Sequence, residues 1–466
     1  MKTLYKLKYL AITIAFLSLQ SCFVAKDYER PIVVEEENFR TDKLPQDSLT
    51  MATVSWREIF TDPVLQDYIE EGLENNIDIR VALQQILSAE AYLKQGKAGY
   101  FPSLTGNASW THQELSKNSQ FGSFFNSAID QYEVTADLSW EADIWGKIRS
   151  QKRAFGARYL QSVAAHKAVK TRLISNIAST YYQLLAVDEQ IKITQRTIDN
   201  RESSIETTEA LKDAGNVTEV GVKQTEAQLY TAQAILVDLK KQARLLENTM
   251  SILLGESPME IPRSELENQN ITTELNTGVP AQLLSNRPDV LAAEYKFRNS
   301  FEMTNVARSN FYPSLTLTAS GGFQSLEFDK LFNANSLFAT VVGGLTQPIF
   351  QRRQIRTQFE VAKSEQEQAR LQFKQAILTA SKEVSDAMYS YNAATEKIEL
   401  KEKEFNAYQT ATDYSEELLD NGLANYLEVL RSRENALNSQ LDLINAKYNQ
   451  LDALVSLYEA LGGGWQ

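Results

Sequence analysis

The sequence predicts an α+β membrane protein that combines long coiled-coil helices with four β-strands in each chain. Three observations support this fold class. Apolar residues recur at intervals of seven along two long stretches, apolar and polar residues alternate along four short ones, and a pair of motifs recurs at one constant offset. The first pattern is typical of coiled coils, the second of half-buried strands, and the third of an internal duplication.

The heptad spacing predicts two long helices. The spaced residues are Ile177, Leu184, Ile191, Ile198 and Ile205 in one stretch, and Ile377, Val384, Tyr391, Ile398, Phe405, Thr412 and Leu419 in the other. No proline interrupts residues 147–212, so one helix there would extend roughly 100 Å at about 1.5 Å per residue. Each long helix is predicted to end at a glycine turn, Gly215 or Gly422, and a shorter helix returns. A structural coiled-coil rod would explain the helices equally well, but not the strands.

The alternation predicts strands at about residues 103–112, 132–144, 314–324 and 337–345. In the second of these the acidic residues share one face, and they are Glu133, Asp137, Glu141 and Asp143. The last strand alternates less well because Phe338 and Val342 fall on its polar face. A soluble sandwich with one wet face has the same pattern. A membrane barrel is favoured because each strand has close to the roughly 9 to 11 residues that cross a bilayer. Trp110, Trp140 and Trp145 also lie toward the ends, where aromatic girdles form.

A barrel requires more strands than one chain provides. Outside the N-terminus no apolar run reaches the roughly 18 residues of a spanning helix, so a membrane crossing must be built from strands. Four strands cannot enclose a lumen, since barrels need about eight or more. Self-association must supply the rest, and three copies would give twelve.

The duplication defines the predicted domains. Asp78 and Pro102 recur as Asp289 and Pro313 at one offset, 289 − 78 = 211 and 313 − 102 = 211. The first repeat is predicted at 51–256, with a strand hairpin at 100–145, a long helix at 147–212 and a return helix at 217–254. A linker at 257–280 precedes the second repeat at 281–466, whose hairpin, long helix and return helix are predicted at 312–350, 352–420 and 424–461.

The N-terminus predicts export and lipid attachment. Three lysines precede the apolar run Leu10 to Leu19, which is short enough for a cleavable signal peptide over residues 1–21. Cys22 follows in a bacterial lipobox pattern and is the only cysteine of the chain. The alternative is an ordinary cysteine lost with the signal. Residues 22–50 are predicted to be a lipidated tether because they are polar and contain proline.

Composition and motifs argue against two other classes of function. The formal net charge of −13 disfavours nucleic acid as a partner. The only histidines, His112 and His166, have no ligand-spaced partner and no nucleophile elbow nearby. The sequence therefore predicts no enzyme, no cofactor and no metal site.

The motifs resemble those of the TolC-like outer membrane factors, in particular the lipidated OprM/NodT-type branch. The matching segments follow the family's order along nearly the whole mature chain. They are Cys22 with Asp27-Tyr28-Glu29-Arg30-Pro31, Trp140 to Lys147, Asn286-Arg287-Pro288-Asp289-Val290, Phe311 to Leu315, Gly422 to Leu430, and Ala460 to Trp465.

The resemblance implies a homotrimer with a 12-stranded barrel in the outer membrane of a Gram-negative bacterium and a helical tunnel in the periplasm. It implies a passive exit duct for drugs, metabolites or other solutes. In such a system a periplasmic adaptor protein and an inner-membrane transporter are the partners, and the helix tips close the tunnel. The alternative function is a lipid-anchored coiled-coil scaffold or adhesin without a pore.

The resemblance also points to an aperture and a lumen. Similar proteins carry two acidic residues three apart after the second glycine turn. Glu428 occupies the first of these positions, but Arg431 places an opposite charge at the second. The two could pair within a chain or between neighbours and latch the tip, or both could be solvated surface charges. Glu133, Asp137, Glu141 and Asp143 would line the lumen and favour cations.

Overall fold

The computed structural model describes residues 24–31, 54–120, 122–123, 128–269 and 286–465. The predicted lipid attachment site Cys22, most of the predicted tether and residues 270–280 of the predicted linker lie outside this part of the chain. Described helices are α1 (Trp56–Ile59), α2 (Pro63–Asn75), α3 (Ile77–Ala98), α4 (Lys147–Asp213), α5 (Glu219–Leu254), α6 (Pro288–Ser309), α7 (Gln354–Asp420) and α8 (Tyr426–Ala460). Strands are β1 (Ser103–Gln113), β2 (Ile129–Ala142), β3 (Ser314–Ser325) and β4 (Leu337–Thr346).

The predicted fold class is confirmed. The two long helices α4 and α7 each contain 67 residues, and the four strands form one antiparallel sheet in the order β1-β2-β3-β4. None of the described helices combines the length and the apolar character needed to cross a membrane.

The chain folds into two compact units. One comprises residues 1–32, 86–162 and 293–373 and holds the sheet, and the other comprises residues 33–85, 163–292 and 374–466. Each unit therefore takes segments from both sequence repeats. The repeats are defined by similarity of sequence, whereas the units are defined by which residues lie close together in space.

The core of the second unit is built from the heptad positions. Ile177 and Leu184 of α4 are fully buried, and Val384 of α7 joins the same cluster. Leu437, Ile444 and Leu451 of α8, again seven apart, belong to the same cluster. The seven-residue spacing keeps these side chains on one helix face, as a coiled-coil seam requires.

The duplication is repeated in the contacts at the helix ends. Gly255 follows α5 with a φ of 81°, and Gly462 follows α8 with a φ of 86°. A Cβ added at Gly255 would stand 2.6 Å from the carbonyl oxygen of Asn75, and one at Gly462 would stand 2.6 Å from that of Asn286. Only glycine fits such a position, because a left-handed φ and close backbone approach both exclude a side chain.

The hydrogen bonds beside these glycines are duplicated too, although the residues differ. Asn76 Nδ2 donates to the carbonyl oxygen of Leu253 at 2.9 Å. At the same place in the second repeat, Arg287 Nη1 donates to the carbonyl oxygen of Ala460 at 3.0 Å. Arg287 is buried, and it also forms an ion pair of 2.6 Å with Glu383. The second repeat thus satisfies the same carbonyl with a charged donor.

Residues 24–31 lie against α6 instead of forming a free tether. Arg308 donates to the carbonyl oxygen of Val24 at 3.1 Å, and Asn305 Nδ2 donates to that of Lys26 at 2.8 Å. The Tyr28 ring packs edge-on against two phenylalanines of α6, and Arg30 pairs with Glu294 at 2.9 Å. These contacts fix the chain from two residues after Cys22.

The described part of the predicted linker is also held in place. Arg263 forms ion pairs with Asp188 of α4 and Glu247 of α5. Asp62, the N-cap of α2, is buried and accepts hydrogen bonds from Tyr181 at 2.8 Å, from Gln269 at 2.7 Å and from the hydroxyl of Ser264. Residues 261–269 are therefore fastened to helices of the second unit.

The duplicated glycines can be tested by substitution. We expect Gly255→Ala and Gly462→Ala each to destabilise the protein by about 2 kcal/mol, because both force a side chain into a left-handed conformation against a carbonyl oxygen. Gly156→Ala, in the interior of α4 with its nearest atom 3.9 Å away, is the matched control and should stabilise by about 0.5–1 kcal/mol. Denaturant unfolding of the three variants measures this. Equal stability of Gly462→Ala and Gly156→Ala would contradict the assignment.

Asp62 should make stability depend on pH. Burial raises the pKa of Asp62, but hydrogen bonds from Ser264, Tyr181 and Gln269 and from the Val64 N–H outweigh it, and the net pKa is lowered. A lowered carboxyl pKa contributes stability that is present above the unfolded value of about 3.9 and is lost as pH falls through the folded value.

Asp62→Asn should therefore cost about 1–3 kcal/mol at pH 7, and the difference from wild type should shrink below about pH 4. The exposed Asp67→Asn variant is the control and should differ little at either pH. Thermal unfolding across this pH range checks the prediction, and a deficit of Asp62→Asn that stays constant would refute it.

Candidate functional site

The register of the sheet sorts its side chains onto two continuous faces. Leu104 lies opposite Leu138, Leu138 opposite Ala319, and Ala319 opposite Val341, so one face is apolar across all four strands. On the other face Thr105 lies opposite Asp137, which lies opposite Ser320, which lies opposite Thr340. Phe338 and Val342 fall on this polar face, as the weaker alternation of the last strand predicts.

The apolar face is uncovered. Leu104, Trp110, Val341 and Leu345 are each 64% exposed or more, and no second sheet covers them in the part of the chain that the structure describes. A soluble sandwich would bury this face against another sheet. The arrangement fits a sheet whose apolar side meets lipid.

Two strand edges carry no partner. β1 and β4 are the outer strands, and among the described residues neither pairs with anything on its outer side. Every residue of β1 is exposed, whereas most of β2 is partly covered. An open edge presents a row of N–H and C=O groups that hydrocarbon cannot satisfy.

Three of the four predicted lumen acids lie together on the polar face of β2. Asp137 accepts hydrogen bonds from Asn107 Nδ2 at 2.5 Å and Thr135 Oγ1 at 3.2 Å. Glu141 forms an ion pair of 3.0 Å with Lys147 at the start of α4. Glu133 lies opposite Ser109 of β1 and Gln324 of β3. The face is thus polar with an acidic stripe along β2.

The prediction for Asp143 requires correction. β2 ends at Ala142, so Asp143 is not on the strand. Its carboxylate accepts hydrogen bonds from the backbone N–H groups of Ile148 at 2.9 Å and Arg149 at 2.8 Å. The first N–H groups of a helix have no partner within the helix, and a carboxylate there is favoured by the helix dipole. Asp143 therefore caps the 67-residue helix α4.

Both predicted helix-tip turns have the same geometry. Gly215 and Gly422 have φ values of 80° and 71°. The Gly215 and Asn216 N–H groups donate to the carbonyls of Lys212 and Leu211, both at 2.9 Å. The turn at Gly422 repeats this pattern with the carbonyls of the two residues before Asp420. This is the hydrogen-bonding pattern of a Schellman C-cap, which ends a helix and reverses the chain.

Glu428 and Arg431 lie in the first turns of α8, and both are exposed. No ion pair joins these two described residues to each other within the chain. Their charges therefore face outward from the protomer.

A different arginine, which the sequence did not single out, ties the helices together near the tip. Arg433 of α8 donates to Glu416 of α7 at 2.8 Å and to Ser204 of α4 at 2.6 Å. Thr225 of α5 hydrogen-bonds the Tyr426 hydroxyl of α8 at 3.1 Å. Arg433 lies between Leu430 and Leu437, on the apolar seam of α8, and a charge at a seam position was the available signal.

The sequence matches a known family model. A model described as outer membrane efflux protein matches residues 68–256 and 279–463. The two matched segments correspond to the two sequence repeats and cover most of the chain.

Three relatives match this chain over almost its full length. The solvent efflux pump outer membrane protein SrpC of Pseudomonas putida is 29% identical over 459 residues, covering 97% of both chains. The probable outer membrane lipoprotein SilC of Salmonella typhimurium is 26% identical over 468 residues, covering 99% of this chain and all of SilC. The cation efflux system protein CusC of Escherichia coli K12 is 26% identical over 455 residues, covering 96% of this chain and 97% of CusC.

Solved structures agree with this relationship. The outer-membrane channel OprN aligns with a TM-score of 0.88 at 25% identity, covering 95% of this chain and 100% of OprN. The open state of the Neisseria gonorrhoeae MtrE outer membrane channel aligns with a TM-score of 0.84 at 25% identity, covering 95% of this chain and 98% of MtrE.

The printed names of these relatives describe efflux proteins, an outer membrane lipoprotein and outer membrane channels. A two-faced sheet with open edges, heptad helices that end in matched glycine turns, and a family match over both repeats therefore lead to one conclusion. The chain belongs to the outer membrane efflux protein family and is an outer membrane channel of an efflux system.

Proposed function

We propose that three copies of the chain assemble into the exit duct of a tripartite efflux system. The observation that supports this most directly is the sheet with one polar face, one apolar face and two unpaired edges. Twelve strands from three copies close these edges on each other. Closure removes the cost of unpaired amides in hydrocarbon, which is several kcal/mol for each group.

The duct is passive in this proposal, and a periplasmic adaptor protein joins it to an inner-membrane transporter that supplies the energy. Relatives named for solvent efflux and for cation efflux match the chain at similar identity, 29% and 26%. The duct would therefore carry whatever solute its transporter delivers. The adaptor would dock near the helix turns at Gly215 and Gly422, where a groove of about 780 Å³ is lined by α4, α7 and α8.

Cys22 is the proposed lipid attachment site. The docking of residues 24–31 on α6 supports this role, because it holds the chain at a fixed place close to the acylated residue. An anchor held so close to the protein restrains its position relative to the membrane more strongly than a flexible tether does.

The polar face would line the lumen. In a trimer Glu133, Asp137 and Glu141 would each form a ring of three carboxylates, which favours cations over anions. Asp143 is excluded from this set because its carboxylate caps α4.

Glu428 and Arg431 would form the aperture at the tip. Both are exposed, and no ion pair joins them to each other or to another residue in the part of the chain that the structure describes. Arg431 of one copy would therefore pair with Glu428 of the next. Such a pair latches the closed tip only if it is partly shielded from water, because exposed pairs contribute about 0 to 1 kcal/mol.

The duct is tested by recording single channels from the purified mature protein in a planar bilayer and determining its oligomeric mass on the same preparation. We expect discrete conductance from a trimer, with a reversal potential that shows cation preference. The preference should weaken in Glu133→Gln, because one ring of charge is removed. A silent monomer or dimer would favour the scaffold alternative, and an anion preference would reject the assignment of the lumen acids.

The latch is tested by the leak current of the closed channel. We expect Arg431→Ala and Glu428→Ala each to raise the leak, and the double variant to raise it no further, because both changes break the same pair. Lys223→Ala removes an exposed charge from the start of α5 and serves as the control without effect. An unchanged leak in Arg431→Ala would disprove the latch and leave both residues as solvated surface charges.

A further inference from the structure

The two halves of the sheet correspond to each other residue by residue through two constant offsets in residue number. β3 follows β1 by 211 residues, since Ser314 corresponds to Ser103 and Pro313 to Pro102. The registers β1–β2 and β3–β4 then relate β4 to β2 by 207, because Ser139 faces Ser103 and Thr346 faces Ser314. The helices that follow keep this offset, as α4 begins at Lys147 and α7 at Gln354. Gly146 and Arg353, which precede them, both have positive φ.

Within one chain, the two halves of the sheet meet at a single junction. β2 of the first half pairs with β3 of the second, so that Leu138 faces Ala319 and Ser139 faces Thr318. Just beyond β2, Trp145 Nε1 donates to the carbonyl oxygen of Pro313 at 2.7 Å, and its ring lies 5.0 Å from that of Tyr312. This junction joins a second strand of one half to a first strand of the next.

The two free edges of the sheet are formed by the counterparts of the strands at the internal junction: β4 is the counterpart of β2, and β1 is the counterpart of β3. β4 is the second strand of its half, and β1 is the first strand of its half. If two copies meet as the two halves do, each residue pair between β2 and β3 predicts a pair between copies. The residue of β2 is replaced by its counterpart in β4, and the residue of β3 by its counterpart in β1.

We propose, on the basis of the trimer above, that β4 of one copy pairs antiparallel with β1 of the next in the register that places Leu345 opposite Ala108 and Thr346 opposite Asn107. These pairs are the counterparts of Leu138 with Ala319 and of Ser139 with Thr318. Arg352 corresponds to Trp145 and would lie against Phe101 and Pro102 of the neighbouring copy.

The side chains in this register are compatible on the apolar face of the sheet. Leu345 is 68% exposed in the single chain and would be covered by an apolar neighbour. Trp110, which is 64% exposed, falls opposite Gly343, beside which there is open space where a side chain would be. A large aromatic side chain across from a strand glycine covers backbone that the glycine leaves bare.

The replacement of Trp145 by Arg352 preserves the contact in a different chemical form. Phe101, the counterpart of Tyr312, is 74% exposed. A guanidinium is planar, stacks on aromatic faces and donates hydrogen bonds, so it can take both the ring contact and the carbonyl contact of the indole. Arg352 is held with a φ of 46°, an uncommon conformation for a side-chain-bearing residue.

The register is tested by oxidative cross-linking of paired cysteines in the full-length lipoprotein. The in-register variants are Thr346→Cys with Asn107→Cys and Leu345→Cys with Ala108→Cys. Both are needed because adjacent antiparallel pairs alternate between wide and narrow spacing, and disulfides require close Cβ atoms. The matched controls shift β1 by two residues on the same face: Thr346→Cys with Thr105→Cys or Ser109→Cys, and Leu345→Cys with Gly106→Cys or Trp110→Cys.

We expect at least one in-register pair to give covalent dimers and trimers on a non-reducing gel, about tenfold more than any shifted control. Wild type, whose one cysteine is Cys22, should give none. A stronger cross-link in a shifted pair would overturn the register while leaving the duct intact. So would the absence of a cross-link in every double-cysteine variant when the wild-type protein is a trimer. A wild-type protein that is not a trimer would instead overturn the proposed function.

The Arg352 contact has its own readout. Arg352→Lys keeps the charge but loses the planar group, so the trimer should dissociate into monomers on heating at a lower temperature than wild type. Arg353→Lys alters a neighbouring arginine whose partner is Glu360 at 3.1 Å in the same chain, and it should dissociate as wild type does. Equal dissociation temperatures of the two variants would remove Arg352 from the interface.

Discussion

The backbone groups at the edges of the four-stranded sheet constrain the rest of the protein. A strand in a bilayer must have its N–H and C=O groups bonded to other strands, because hydrocarbon offers no partner. Within one chain β2 and β3 meet this condition on both sides, but β1 and β4 meet it on one side only. The need for further copies follows from those two open edges.

The internal duplication shows how the chain meets the same structural requirement twice. A Cβ added at Gly255 or at Gly462 would stand at the same 2.6 Å from an equivalent carbonyl oxygen, and α4 and α7 have the same length of 67 residues. The repeats differ most where their neighbours differ. Asp143 caps α4 at the junction inside the chain, whereas its counterpart Phe350 lies 83% exposed at the edge of the sheet. The two repeats have therefore diverged at this position while their long helices have kept the same length.

The helix tips combine rigid and exposed elements. The Schellman turns at Gly215 and Gly422 and the bridge from Arg433 to Glu416 and Ser204 hold the helices of one chain together. Glu428 and Arg431 remain exposed beside this fixed frame. The exposed charges at the tip are thus separate from the side chains that hold the helices of one chain together.

The sequence by itself determined the long helices, the four strands and their two faces, because each is encoded as a spacing between near neighbours in the chain. It determined the duplication through one constant offset of 211 between matching motifs. Heptads such as Ile177, Leu184 and Ile191 and the alternation through Glu133, Val134 and Thr135 need no knowledge of distant residues. The family resemblance followed from motifs in the same way. Even the glycine turns at the tips could be located from local signals alone.

The tertiary structure alone decided which side chains meet. Asp143 continued the alternation but belongs to a helix cap, since an unpaired helix N-terminus competes successfully for its carboxylate. Residues 24–31 looked like a free tether but bind a helix almost 280 positions away, with 305 − 26 = 279. Arg433 finds its partner Ser204 across 229 positions. Such pairings depend on how helices pack, which no local spacing records.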